Sequence, residues 1–162
     1  MAEASRNWWV PAISLVLTLV LGVLPLPEVI EPLRPDWVAV VLLYWSLMAP
    51  RKFSLLTAFW MGLAIDTLSG ALLGQNALAL LVVVYLADRF HLRLRVFPVS
   101  QLAITVFVLL CLYEFILFWV DGIAGRNVPL VERWVPPFTG TLVWVGMLYV
   151  FDRGQREARA RL

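Results

Sequence analysis

Six long hydrophobic segments, separated by charged residues and turn formers, are the strongest constraint on the fold of this chain. Hydrophobic residues make up 62% of the sequence and charged residues only 15%, whereas a soluble domain carries about 25% charged residues. The segments leave no room for a soluble domain beside them. We therefore predict one integral membrane domain over residues 1–162.

The segments lack the alternating pattern of a barrel strand, so they are expected to cross the membrane as helices. The prediction is an all-α polytopic membrane protein with six transmembrane helices, at residues 8–25, 37–49, 53–68, 71–87, 98–120 and 135–151. A spanning helix needs about 20 residues, so the second and third segments are short and rely on flanking residues or a thinned bilayer. The first segment is not read as a signal peptide, because it lacks a small-residue cleavage site and more segments follow.

The placement of lysine and arginine predicts the orientation of the chain. With six spans, both termini share one side, which holds most of the basic residues: Arg6, Arg51, Lys52, Arg89, Arg93, Arg95, Arg153, Arg156, Arg159 and Arg161. The other side holds Arg34, Arg126 and Arg133. Cytoplasmic loops carry the excess of basic residues, so both termini are expected in the cytoplasm.

Two carboxylates, Asp66 and Glu114, are the only ionisable residues inside the predicted spans. Counting about 1.5 Å per residue places both toward the outer half of the membrane. Intramembrane acids suggest proton relay, cation binding or acid–base chemistry. The alternative is structural: each carboxylate accepts hydrogen bonds from helix ends, from Ser69 or Thr67, or from an outer-loop arginine. We favour the structural interpretation.

Small residues surround Asp66 at a spacing of four: Ala58, Gly62, Gly70 and Gly74. This spacing lets another helix approach closely, so the segment is predicted to be a packing face, for a helix of this chain or of a partner. Gln75 and Asn76 follow, and together with Ser69 they predict a polar turn that caps a helical hairpin. A ligand-binding turn is the alternative.

The sequence carries none of the usual signatures of an enzyme. It has no nucleotide-binding glycine loop, no zinc-binding helix motif, no nucleophile elbow and no acid cluster for two metals. We therefore expect no catalytic residues, no metal and no cofactor. Nucleic-acid binding is not expected either, because membrane topology accounts for the basic residues.

Several short motifs together resemble a known family. They are Arg34-Pro35-Asp36-Trp37, Leu42-Leu43-Tyr44-Trp45, Pro50-Arg51, the residues Gly62 and Asp66, Ser69-Gly70, Leu73-Gly74 and Phe118-Trp119. In these motifs, in length and in helix order the chain resembles the MreD family of bacterial rod shape-determining proteins. The resemblance implies a fold similar to the six-helix substrate-binding subunits of vitamin transporters.

The resemblance also implies a place in the bacterial inner membrane, within the elongasome that builds the lateral peptidoglycan wall. The implied partners are an MreC-like bitopic shape protein and, around it, a RodA-type glycosyltransferase, an elongation-specific penicillin-binding protein and the MreB filament. The chain is then expected to be a non-enzymatic scaffold, with partner contacts at the small-residue face and at the outer loop with Arg34 and Asp36. The alternative is a small-molecule-binding or transport subunit that uses the outer-half carboxylates.

Overall fold

The computed structural model describes residues 9–25, 27, 31–48, 55–94, 97–126 and 133–160, in which every regular element is a helix. This confirms the all-α prediction for the described part of the chain. The helices are α1 (Trp9–Val23), α2 (Trp37–Met48), α3 (Leu55–Ser69), α4 (Gln75–Leu94), α5 (Val99–Ile123) and α6 (Val135–Ala160), with a short 3-10 turn at Glu31–Leu33.

Three helices differ from the predicted ranges by more than two residues at one end, and the other three differ by one or two. Residues 71–74 form a turn and α4 begins only at Gln75, because the glycines on both sides of this stretch take left-handed backbone conformations that interrupt a helix. α4 and α6 then continue well past their apolar segments, to Leu94 and Ala160. The prediction took the end of an apolar run for the end of a helix, although the arginine, leucine, glutamine and alanine residues beyond it are good helix formers.

α5 also runs three residues further than predicted, to Ile123, and so includes Asp121. It is the one described helix that is both long and apolar enough by itself to cross a membrane. The apolar stretches Val10–Gly22, Trp37–Met48, Leu55–Ser69 and Val135–Val150 are shorter. Six complete spans therefore stay a prediction.

α2 forms the centre of the bundle. All seven residues from Val38 to Tyr44 are buried, which is typical of a helix that is surrounded by other helices. α2 packs against α1, α4, α5 and α6. On the α6 side, the fully buried Trp144 meets the ring of Tyr44 edge-on, at 6.4 Å between centroids.

Close helix approach depends on glycine at two places. A Cβ added to Gly62 of α3 would stand 2.2 Å from the Cα of Ala77 in α4, so these two backbones are in direct contact. A Cβ at Gly140 of α6 would stand 3.0 Å from the side chains of Leu110 and Val40. Small residues thus bring α3 to α4 and α6 to α2 and α5.

The outward faces of the bundle are strongly apolar. Ile13, Val16 and Leu17 of α1 and Leu142 of α6 are more than half exposed, and so is Ile104 of α5. Soluble monomers rarely expose large contiguous apolar surface, whereas lipid-facing helices do so by necessity. The exposed faces therefore suit a hydrocarbon environment.

Among the basic residues used for orientation, Arg6, Arg51, Lys52, Arg95 and Arg161 lie outside the described residues. Arg89 lies in the C-terminal part of α4 and is exposed. The backbone positions 93, 153, 156 and 159 belong to the extensions of α4 and α6.

Candidate functional site

Polar side chains gather at one end of the bundle, where α1, α3 and α5 end and where α2, α4 and α6 begin. Asp66 lies in the last turn of α3 and is 1% exposed. Its Oδ2 accepts a hydrogen bond from the backbone N–H of Gly74 at 2.8 Å. Its Oδ1 accepts from the backbone N–H of Asn76 at 3.0 Å and from the Nδ2 of Asn76 at 2.8 Å. Asp66 therefore caps the start of α4 from the neighbouring helix, where a negative charge is favourable.

The turn between α3 and α4 fits this role of Asp66. Gly70 and Gly74 have φ angles of 65° and 96°, in the left-handed region that favours glycine. A Cβ at either position would meet no atom within 4 Å, so backbone conformation, not space, requires glycine there. The short turn aims the first N–H groups of α4 at the carboxylate.

Asn76 carries the connection from α3 and α4 to α5. Its Oδ1 accepts a hydrogen bond from the hydroxyl of Tyr113 at 2.6 Å. Both side chains are buried. The amide of Asn76 thus donates to Asp66 and accepts from Tyr113, which fixes its orientation and ties three helices together.

A second group of charges surrounds Arg133, which lies just before α6. Its Nε is 3.4 Å from Oε2 of Glu114, and its Nη2 donates to Oδ2 of Asp121. The other oxygen of Asp121 accepts from Nε2 of Gln75 at 2.9 Å. One arginine and one glutamine therefore bind the two acids of α5 to the starts of α6 and α4.

Glu114 also shares a side-chain hydrogen bond with Asp36, which precedes α2. A hydrogen bond between two carboxyl groups requires a proton on one of them. Burial raises the pKa of Asp36 above its ordinary value, while the hydrogen bond to Glu114 and the charges of Arg34 and Arg133 act in the opposite direction. The pair joins the start of α2, the central helix of the bundle, to α5.

Arg34 completes the connections at this end. Its Nη2 donates to the backbone oxygen of Leu21 at 2.5 Å, in the last turn of α1. Basic side chains at helix C-termini satisfy carbonyl groups that have no partner within the helix. With this contact all six helices are linked through polar groups at one end.

Two buried polar atoms in this network have no hydrogen-bond partner among the described residues: Oε1 of Gln75 and Nη1 of Arg133. Both belong to side chains that hold Asp121. Oε1 of Gln75 is an acceptor and Nη1 of Arg133 is a donor, so an ordered water molecule beside Asp121 could hydrogen-bond to both.

The network unites seven of the residues that the sequence singled out: Arg34, Asp36, Asp66, Gln75, Asn76, Glu114 and Arg133. It leaves out Ser69, whose hydroxyl donates to the backbone oxygen of Ile65 within α3 and is exposed. Thr67 likewise bonds within its own helix, to Ala64. Of the partners suggested for Asp66, it is therefore the end of a helix that binds the carboxylate, and neither hydroxyl does.

The small-residue face divides into two parts. Ala58 and Gly62 are buried within the chain, and Gly62 lies against α4. Gly70 and Gly74 belong to the turn, not to a helical stripe. The interpretation as a face for a partner helix therefore does not fit Ala58 and Gly62, whose contacts are internal.

Sequence reasoning missed Tyr113 and Asp121 and left Arg133 as one of three possible partners. Asp121 follows Glu114 by two helical turns and so lies on the same face of α5, a signal that a longer predicted helix would have revealed. The described residues hold no group of three or more His, Cys, Asp or Glu side chains that suits a metal ion.

Comparison with known proteins identifies the family. The model of the family described as rod shape-determining protein MreD matches residues 4–151. The chain belongs to the MreD family. A relative named rod shape-determining protein MreD, from Haemophilus influenzae strain Rd, is 31% identical over 153 residues, which is 94% of each chain.

Membership in the MreD family confirms the resemblance noted in the sequence and gives the chain a role in rod shape determination. MreD proteins are membrane-associated shape proteins, in accord with the apolar α5. No solved structure matches the chain, so the likeness to vitamin-transporter subunits stays a prediction.

Proposed function

We propose that this MreD protein is a non-enzymatic, multi-pass scaffold in the bacterial inner membrane, with six crossings and both termini in the cytoplasm. The single observation that carries the proposal is the polar network, which ties one end of each helix into a fixed platform. Because consecutive helices contribute opposite ends to it, the network supports a bundle whose helices alternate in direction. The exposed Arg89 lies far from it, in the last two turns of α4.

This topology is testable with two cysteines that flank the same helix. Ala124 follows α5 and Phe97 precedes it, and both are exposed. In a Cys111→Ser background, Ala124→Cys is expected to react with a membrane-impermeant maleimide in intact spheroplasts, and Phe97→Cys only after permeabilisation. Equal labelling of both, or the reverse order, would contradict the orientation.

We further propose that the platform binds the MreC-like bitopic shape protein at its outer end, close to Arg34 and Asp36. A surface that is already ordered loses little conformational entropy on binding, which suits a scaffold. Hydrophobic side chains are exposed at this end, with Leu33 53% and Ile123 83% accessible. Through the MreC-like protein the platform would help organise lateral peptidoglycan synthesis with a RodA-type glycosyltransferase, an elongation-specific penicillin-binding protein and the MreB filament.

Site-specific photo-crosslinking tests this interface. A photoreactive amino acid at Leu33 or Ile123 is expected to capture the MreC-like protein in cells. The same amino acid at Leu142, which is 73% exposed on the apolar face of α6, serves as the matched control and is expected to capture none. Crosslinks from Leu142 alone, with the complex still intact on co-purification, would refute an interface at the outer end.

The alternative of a small-molecule transport subunit finds no specific support. It requires carboxylates that are free to bind a solute. Asp66 uses both oxygens within the chain, and both oxygens of Asp121 are engaged. Glu114 is held by Asp36 and Arg133.

A further inference from the structure

A cleft separates α1 from α3 at the end that carries the polar network. Its apolar part has a volume of about 170 Å³ and is lined by residues such as Leu19, Ile65 and Leu68. A polar part of about 210 Å³ continues from it toward Asp36, Asn76 and Tyr113. Gly22, Val38 and Ile65 line both parts, so the two parts lie next to each other.

The position of the two parts corresponds to the two regions of a lipid leaflet. The apolar part lies along the last turns of α1 and α3, and the neighbouring Val20 and Leu68 are more than half exposed on the apolar outer face. The polar part lies where these helices end, at the level of the charged network. Neither part is as large as the roughly 300–1,000 Å³ of pockets that enclose drug-sized ligands, so a ligand with a long acyl chain would extend beyond the cleft.

The charges on the polar part indicate which headgroup fits. Arg34 provides a guanidinium group, while Asp36 and the exposed Glu31 provide carboxyl groups on the same wall. A phosphate favours the arginine and an ammonium group favours the acids. Asp36 is already hydrogen-bonded to Glu114, so the exposed Glu31 is the carboxylate of this wall that is available to an ammonium group. A headgroup that carries both a phosphate and an ammonium group is therefore complementary to Arg34 and Glu31, whereas a purely anionic headgroup leaves Glu31 without a partner.

We propose that this cleft binds one phospholipid with a zwitterionic, primary-ammonium headgroup. One acyl chain lies between α1 and α3, the second stays in the bilayer, and the headgroup occupies the polar part. The phosphate faces Arg34 and the ammonium faces Glu31.

Gly22 offers a direct test because it lines both parts of the cleft. A Cβ at this helical position would meet no atom within 4 Å, so the backbone has space for a side chain and Gly22→Leu is expected to narrow the cleft. Gly146 of α6 is the matched control, since it is also helical and exposed with open space around it. Glu31→Gln removes the exposed charge of the wall and leaves its shape.

The assay is native mass spectrometry of the purified full-length chain, exchanged into micelles with equal amounts of phosphatidylethanolamine, phosphatidylcholine and phosphatidylglycerol of identical acyl chains. We expect one retained phosphatidylethanolamine per chain, at least tenfold less in Gly22→Leu and an unchanged amount in Gly146→Leu. Glu31→Gln is expected to lower the preference for phosphatidylethanolamine severalfold. Thermal melting of each variant verifies that it is folded.

Three results would overturn the proposal. Equal retention of the three lipids, unaffected by Gly22→Leu, would identify annular lipid only. Competition by glycerophosphoethanolamine, which has no acyl chain, as strong as that by the lipid would show a site for a small polar molecule. Absence of retained lipid, combined with loss of the MreC-like partner in Gly22→Leu, would assign the cleft to a protein segment.

Discussion

Replacing Asp66 tests whether its carboxylate holds the fold or performs a separate function. Asp66→Ala removes the acceptor of three hydrogen bonds, from the N–H of Gly74 and from the N–H and side-chain amide of Asn76. A buried donor left without a partner costs about 1–3 kcal/mol. The three losses share one turn and are not additive, so we expect a destabilisation of roughly 4 kcal/mol. Since domains are stable by about 5–15 kcal/mol, this is a large fraction.

Asp66→Asn is expected to destabilise the protein less than Asp66→Ala. An asparagine keeps one acceptor oxygen for Asn76 but presents an amide N–H₂ to the N–H of Gly74, so about half of the loss is expected. Thr67→Ala is the control, because the Thr67 hydroxyl is exposed and bonds only to Ala64 in its own helix. The expected order of destabilisation is Asp66→Ala, then Asp66→Asn, then Thr67→Ala.

The measurements are membrane abundance of a fluorescent fusion, thermal melting in detergent and cell shape on complementation. We expect abundance, melting temperature and rod shape to fall in parallel. If Asp66→Ala accumulates and melts like the wild type while cells lose their rod shape, the carboxylate has a role beyond capping α4, and the structural argument is refuted.

Three further substitutions probe the packing, the turn and the buried charges. Gly62→Leu places a side chain against the backbone of Ala77, so folded protein is expected to disappear from membranes on quantitative blotting; normal abundance would refute the α3–α4 contact. Gly74→Ala meets no clash but strains a left-handed residue by about 1–2 kcal/mol, which should lower the melting temperature by several degrees; no change would argue against this turn. Arg133→Gln leaves two buried acids without their cation, so the free energy of unfolding should fall by about 3–5 kcal/mol. Arg126→Gln, at an exposed site, is the control and should change it by no more than about 0.5 kcal/mol. Equal effects of the two substitutions on thermal unfolding would refute the buried pairing.

The sequence predicts the helices well because their apolar runs are long, and it predicts their ends poorly because charged residues also extend helices. α4 and α6 continue into basic sequence that has high helix propensity. The starting point of α4 depends instead on the carboxylate of Asp66, eight residues before Gly74 in the chain. Propensity alone cannot show this, because the capping group comes from another helix.

The sequence predicted several residues of the candidate site, but it did not predict which of them contact each other. Asp66 and Glu114 stand out because charges inside apolar segments are costly. Their partners come from distant parts of the chain: Glu114 meets Asp36 of the region before α2 and Arg133 of the region before α6. Several arginines are equally placed by counting residues, so only the folded arrangement selects Arg133.

The spacing of the polar contacts along the chain has a consequence for biogenesis. Asp66 finds its donors eight and ten residues ahead, so these hydrogen bonds can form as soon as the α3–α4 hairpin has been synthesised. Asp36 meets Glu114 only after three complete helices, α2, α3 and α4, have been synthesised between them. The polar contacts of the α3–α4 hairpin can therefore form within the hairpin itself, whereas Asp36 before α2 acquires its partner Glu114 only after α5 arrives. The two acids of α5 in turn meet Arg133 only when the region before α6 has been synthesised, so the polar network is complete only with the last helix.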